Sequence, residues 1–257
     1  MTDVDRATYV YGVVPASDRT EIEAGGVGRE PSAVRRITLD GVAALVSDVP
    51  RGALVAARDL RAHWNVLEEV AARTTVLPIR VGTVLESDAA VVEELLAPNA
   101  DHLAALLAEL DGKVQVNIKG FYDEERLLRE IVRETPALAR MRERVQRLPQ
   151  AASYYERIQL GELVSAEIDR RRARDAELVV GRLELLAEAA KAEAPTTESG
   201  AVNVAFLVRR DRLDEFSGSV DRLAADLGER VQLRYIGPLP PYSFADGGAN
   251  VESAAWG

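Results

Sequence analysis

From Thr8 to Val14 large and small apolar residues alternate, placing Tyr9, Tyr11 and Val13 on one face of an expected strand that Pro15 ends. Residues 18–31 are polar and glycine-rich and read as a loop. Its Gly26-Val27-Gly28 lacks the third glycine and preceding strand of a dinucleotide motif, so it reads as a turn. Two apolar runs, 34–39 and 42–46, flank Asp40-Gly41, the pair favoured where both turn residues need positive φ, so a hairpin is expected. Leu60, Trp64, Leu67 and Ala71 then fall at helical spacing over 58–73, with His63 beside the stripe as a packing or surface residue. In residues 76–85, Leu77, Ile79, Val81 and Leu85 share the expected core face of a strand, while Pro78 argues for an edge and Arg80 for solvent. Ser87 can cap a helix running to Leu96, and Pro98 opens another with the stripe Leu103, Leu106, Leu107 and Leu110.

Asp111-Gly112 marks a boundary. Val114, Val116 and Ile118 alternate with polar residues in the cleanest strand pattern of the chain. Asp123 to Glu125 open a helix with Leu127, Leu128, Ile131 and Val132 inward, and Thr135-Pro136 starts the next. Residues 151–194 lack proline and read as one long helix with stripes Leu160/Val164/Ile168 and Val179/Leu183/Leu186/Ala190. The charged run 169–175 between the stripes reads as a solvated face with pairs inside the helix. Val202 to Val208 is apolar on both faces, a central strand. A helix from about Asp211 to Gly228 follows, then a strand through Val231, Leu233 and Tyr235 that Gly237-Pro238 is expected to stop. Tyr242 and Phe244, held by Pro240 and Pro241, are expected to dock as a pair on their own domain.

These elements predict an α+β chain of two domains, each a small, mainly antiparallel sheet with helices. Residues 1–110 form the first. Residues 111–244 form the second, a modified ferredoxin-like domain whose helical arm covers about 136–194, and 245–257 are expected to be a mobile tail. The chain's 257 residues suit two ordinary domains.

Composition narrows the chemistry. A net charge of −10 repels nucleic-acid backbones and anionic lipid. With no cysteine, disulfides, thiolate zinc sites and cysteine nucleophiles are excluded. The polar start, Met1 to Arg6, and the lack of a long apolar run predict a cytoplasmic chain that does not enter a membrane. No phosphate loop, nucleophile elbow or HExxH occurs, and His63 and His102 lack metal-ligand spacing. No catalytic, cofactor or metal residue is therefore assigned, and the residues alone point to an interaction module.

Three stretches carry a resemblance: Val76-Leu77-Pro78-Ile79-Arg80-Val81-Gly82-Thr83-Val84; the strand Val114 to Asp123 with Ile118-Lys119; and Gly237-Pro238-Leu239-Pro240-Pro241-Tyr242-Ser243-Phe244. With Tyr9-Val10-Tyr11-Gly12-Val13, they occur in the order seen in the GvpF/GvpL family of gas vesicle accessory proteins, which the chain resembles. Val81 and Leu239 stand where the family often has Phe and Trp. The resemblance implies a non-enzymatic, cytoplasmic or shell-associated factor needed for gas vesicle assembly, engaging the hydrophobic shell protein GvpA and other accessory Gvp proteins. The alternative from the residues alone is a small-molecule sensor or enzyme built on the ferredoxin-like sheet, with a closed polar pocket.

Overall fold

The computed structural model describes residues 6–52, 56–149 and 153–245. It is an α+β structure with two sheets. The chain divides into two compact units, one comprising residues up to Gln115 together with those from Gly237, the other Val116–Ile236.

In the first unit, β1 (Arg6–Pro15) lies between β3 (Val42–Pro50) and the short β4 (Leu77–Pro78) and β5 (Val84–Leu85), with β2 (Arg35–Leu39) outside β3. All these pairings are antiparallel. The expected Asp40-Gly41 hairpin forms, with φ of 42° and 92° at its two turn residues. Pro78 sits on the edge strand, where its missing N–H costs no ladder bond. The expected strand 76–85 is instead two short pieces around a turn, with Thr83 N–H donating back to Arg80 O at 3.2 Å. Arg80 is exposed, as expected.

One register detail corrects the face of β1. Val10 opposes Val46 while Gly12 opposes Leu45, so Tyr11 is a bulge residue. The extra residue shifts the alternation. Tyr9, Tyr11 and Val14, rather than Val13, join Leu45, Val66, Leu67 and Val70 in one core. Gly12 is required there: an added Cβ would lie 2.7 Å from Leu77 O and 3.0 Å from Leu67 Cδ2. Gly12→Ala is therefore expected to destabilise the first unit by about 1–3 kcal/mol. Urea denaturation followed through Trp64 fluorescence checks this, and an unchanged midpoint would contradict the close approach.

Helix α1 (Ala57–Ala71) also turns a different face inward. Leu60 and Trp64 are exposed, and Asp59, His63, Val66, Leu67 and Val70 are buried. Ser87 Oγ caps α2 (Asp88–Ala90), accepting from Ala90 N–H, and a wider helical turn continues to Leu96. Helix α3 (Ala100–Glu109) and the residue after it bury Leu103, Leu106, Leu107 and Leu110 as expected.

In the second unit the sheet order is β7-β8-β6-β9, formed by β6 (Lys113–Tyr122), β7 (Ala189–Ala192), β8 (Gly200–Arg209) and β9 (Val231–Leu239). Strand β8 is buried along nearly its whole length and is internal. Phe206 meets Phe216 of α7 (Leu213–Leu227) at 5.3 Å in a core shared with Val116, Ile118, Ile131 and Leu183. Three further helices follow β6: α4 (Glu124–Glu134), α5 (Pro136–Arg147) and α6 (Tyr154–Leu183). Asp123 caps α4 by accepting from Arg126 N–H, and Pro136 is the first residue of α5.

The expected helix to residue 194 is corrected. Helix α6 ends at Leu183, and Ala189–Ala192 is a strand paired antiparallel with β8. An alanine-rich segment has helical propensity, but pairing with Val204 to Leu207 supplies long-range ladder bonds that override it. Strand β9 likewise continues through Gly237 and a cis Pro238 to Leu239 rather than stopping, as an edge strand allows. Residues 237–245 group with the first unit, not with the domain to which the sequence boundary had assigned them. Tyr242 packs on Trp64 at 4.8 Å between ring centroids, and Ser243 N–H donates to Gln115 Oε1 at 2.8 Å. Of the expected tail, residues 246–257 lie outside the described residues, and Ala245 is buried.

Candidate functional site

His63, the one histidine near a polar cluster, is fully buried. Its Nδ1 lies 3.0 Å from Tyr9 Oη, and its ring stacks 5.6 Å from that of Tyr11. Gly82 N–H donates to Tyr9 Oη at 3.1 Å, which leaves the Tyr9 hydroxyl hydrogen for His63 Nδ1. Burial lowers the His63 pKa to about 4, so the ring is neutral near pH 7. Burial also pushes Tyr9 up to about 12, against the opposing bond from Gly82. Tyr11 Oη accepts from Val27 N–H at 2.8 Å and meets Ser47 Oγ at 2.7 Å. Burial would raise the Asp59 carboxyl, but N–H bonds from Ala56 and Gly28 hold it below its usual value. These groups bind the loop at Gly26-Val27-Gly28 to α1 and β1, so that stretch is a structural anchor.

A cavity of about 760 Å³ in the same unit is bordered by Arg6, Asp48, Arg58 and Asp59. Four of the charged side chains there are paired, Arg6 with Asp48 at 3.0 Å and Arg58 with Asp59 at 3.6 Å. Among the described residues no group of three or more His, Asp or Glu is placed to hold a metal ion.

The second unit contains what sequence reasoning missed. The run 169–175 is not simply a solvated face. Arg170 and Arg172 do pair within the helix, with Glu167 and Asp169. Arg171 is buried, however, and meets three carboxylates: Glu134 at 2.6 Å, Glu167 at 3.3 Å and Glu130 at 3.6 Å. Bonding to Arg171 holds Glu134 below the usual carboxylate range. One turn on, buried Asp175 accepts from Tyr122 Oη at 2.7 Å and from both terminal nitrogens of Arg230 at 2.8 Å. Arg171, Asp175, Val179 and Leu183 recur every four residues along α6, so the signal in the sequence was periodicity rather than polarity.

This arrangement clamps the C-terminal half of α6 and leaves its N-terminal half lightly covered. Between residues 154 and 166 only Glu156, Leu160 and Val164 are even partly buried. Tyr154, Tyr155 and Ile158 are exposed by 64%, 78% and 44% on adjoining sides of the first two turns, and Leu128 of α4 is 44% exposed. Leu128 and Val132 of α4, with Leu160 and Val164 of α6, line a cavity of about 450 Å³ with Arg129 and Arg142 at its rim. Clustered exposed aromatic and aliphatic side chains, with no assembled chemical group nearby, suit protein contact.

The model of the gas vesicle synthesis protein GvpL/GvpF family matches residues 7–246. The chain belongs to this family. It is 39% identical over 243 residues to gas vesicle protein F of Streptomyces sp. (strain CB03234), covering 93% of this chain and 100% of that one. It is similar to the crystal structure of GvpF from Anabaena sp. PCC7120, with a TM-score of 0.79 and 28% identity over 93% of this chain and 98% of that one. The corresponding values for GvpF from Microcystis aeruginosa are 0.77, 29%, 93% and 99%. A gas vesicle-related role follows from this membership, and the matched relatives are named as gas vesicle proteins rather than as enzymes.

Proposed function

We propose that the chain is a non-enzymatic assembly factor that covers the apolar surface of the shell protein GvpA before it enters the shell, acting in the cytoplasm with other accessory Gvp proteins. The observation that carries this reading is the exposed apolar group at the start of α6, Tyr154, Tyr155 and Ile158. A shell subunit that turns one apolar face to gas aggregates if that face is left open in water. An acidic, highly charged partner presenting a small apolar helical face keeps such a subunit in solution and releases it to a larger apolar contact.

The test is co-expression with GvpA and capture of this chain. The full chain is expected to retain GvpA in the soluble fraction. The double substitution Tyr155→Ser/Ile158→Ser, at positions that contribute little to the fold, is expected to lower the captured amount about tenfold or more. Equal capture by the folded double variant would remove α6 from the interface, and no capture by the full chain would end the reading.

A further inference from the structure

We infer that the groove between α4, α5 and α6 is a docking site for an acidic amphipathic helix of a partner protein. This rests on the proposed function only in taking the second unit's helices as the partner-binding face. The floor is two short apolar ridges, Leu128/Val132 on α4 and Leu160/Val164 on α6, each a residue pair one helical turn apart. Facing i,i+4 ridges form the slot that receives the apolar stripe of a third helix.

Charge selects the occupant. The chain as a whole carries −10, yet α5 has four arginines against Glu143 alone. Arg144 pairs with Glu156 and Arg147 with Glu143, while Arg140 and Arg142 form no ion pair among the described residues. Arg142 borders the groove directly. Arg129, across from it, spends one N–H on the Glu125 carbonyl at 3.2 Å and makes no ion pair among the described residues. An apolar floor rimmed by guanidinium groups with no carboxylate partner complements a helix whose apolar stripe is flanked by Glu or Asp, and repels one flanked by Lys. Glu125, also on the rim, is the single carboxylate there among the described residues and sits at the N-terminal end of α4.

The full chain is titrated against two synthetic 18-residue helices with the same Leu/Ile stripe, one flanked by Glu and one by Lys, with fluorescence anisotropy as the readout. The Glu-flanked peptide is expected to bind more tightly and to weaken with salt. Leu128→Asp, at a half-exposed position, is expected to weaken it about tenfold or more. Arg142→Glu, at an exposed position, is expected to narrow or reverse the preference between the two peptides. If Leu128→Asp fails to fold by circular dichroism, Arg142→Glu decides. Equal binding of both peptides, or a preference untouched by Arg142→Glu, overturns the proposal. So does self-association of the full chain that Leu128→Asp abolishes, since the groove would then hold a second copy. Peptide binding without GvpA capture leaves the groove assignment standing and removes the proposed function; capture of GvpA without peptide binding does the reverse.

Discussion

Arg171→Ala is expected to lower the unfolding free energy of the second unit by about 3–5 kcal/mol, the usual cost of removing one partner from a buried ion cluster. The side chain is almost fully buried, and its guanidinium contacts Glu130, Glu134 and Glu167 within 3.6 Å. Without it, three carboxylates crowd one site, two of them largely buried, and Glu167 and Glu134 keep only their outer partners Arg170 and Arg133. Arg171→Lys is expected to recover only part of the loss, because one ammonium cannot span three carboxylates as the planar fork does. The difference between wild type and Arg171→Ala is also expected to shrink in acid. Glu134 has a folded-state pKa below its ordinary 4.5, so its share of the stability is present above 4.5 and disappears as pH falls through the folded value. Urea denaturation followed by far-ultraviolet circular dichroism measures this. Residues 116–236 contain no tryptophan, so Trp64 fluorescence serves as the separate record of the first unit. A loss under 1 kcal/mol would mean that the cluster is solvated and contributes little.

The same cluster shows where the sequence was legible and where it was not. The strands β1, β6 and β8, the Asp40-Gly41 turn and the caps at Ser87 and Asp123 were readable, because each is set by neighbours along the chain, although the bulge at Tyr11 that sets the inward face of β1 was not. On the inward faces of α1 and α6 the apolar members Leu67, Ala71, Val179 and Leu183 were readable, and the polar members were not. Asp59, His63, Arg171 and Asp175 lie on the buried side, and their types argue for solvent. They can be buried only because distant residues satisfy them: Gly28 and Tyr9 in the first unit, Glu130, Tyr122 and Arg230 in the second. Sequence separations of 31 to 55 residues carry no local pattern. Strand β7 failed for the related reason that its partner, β8, was known but its pairing was not. The apolar helical surface was partly visible, since Leu128 and Val132 were placed on the inward side of α4. The structure turns Leu128 outward instead, and in doing so creates the groove.

Acid should weaken the first unit through His63. The imidazole has an ordinary pKa of 6.5 and about 4 in the fold, so the folded state disfavours the charged ring. The unfolded chain therefore binds the proton more readily, and stability falls as pH falls. It is fully present above 6.5, declines by about 1.4 kcal/mol per pH unit below that, and levels off near 4, for a total of about 3 kcal/mol. The groups facing the ring explain why protonation is resisted. Tyr9 and Tyr11 pack on it from β1, Trp64 meets its edge at 6.3 Å, and Nε2 has no hydrogen-bond partner among the described residues. The nearby carboxylate on its own helix, Asp59, is already bonded to the backbone of Ala56 and Gly28, and its pKa is depressed, so it loses its contribution only in stronger acid. Two windows thus separate, with His63 acting between pH 6.5 and 4 and the anchoring carboxylates below. His63→Gln removes the titration while keeping an amide able to bond Tyr9, and its stability is expected to be flat across the upper window, though lower overall. Urea midpoints followed through Trp64 at pH 6.5, 5.5 and 4.5 compare the two slopes. Parallel slopes for wild type and His63→Gln would show that the ring finds a partner for its proton, and that the closed aromatic core around it opens more readily than its burial implies.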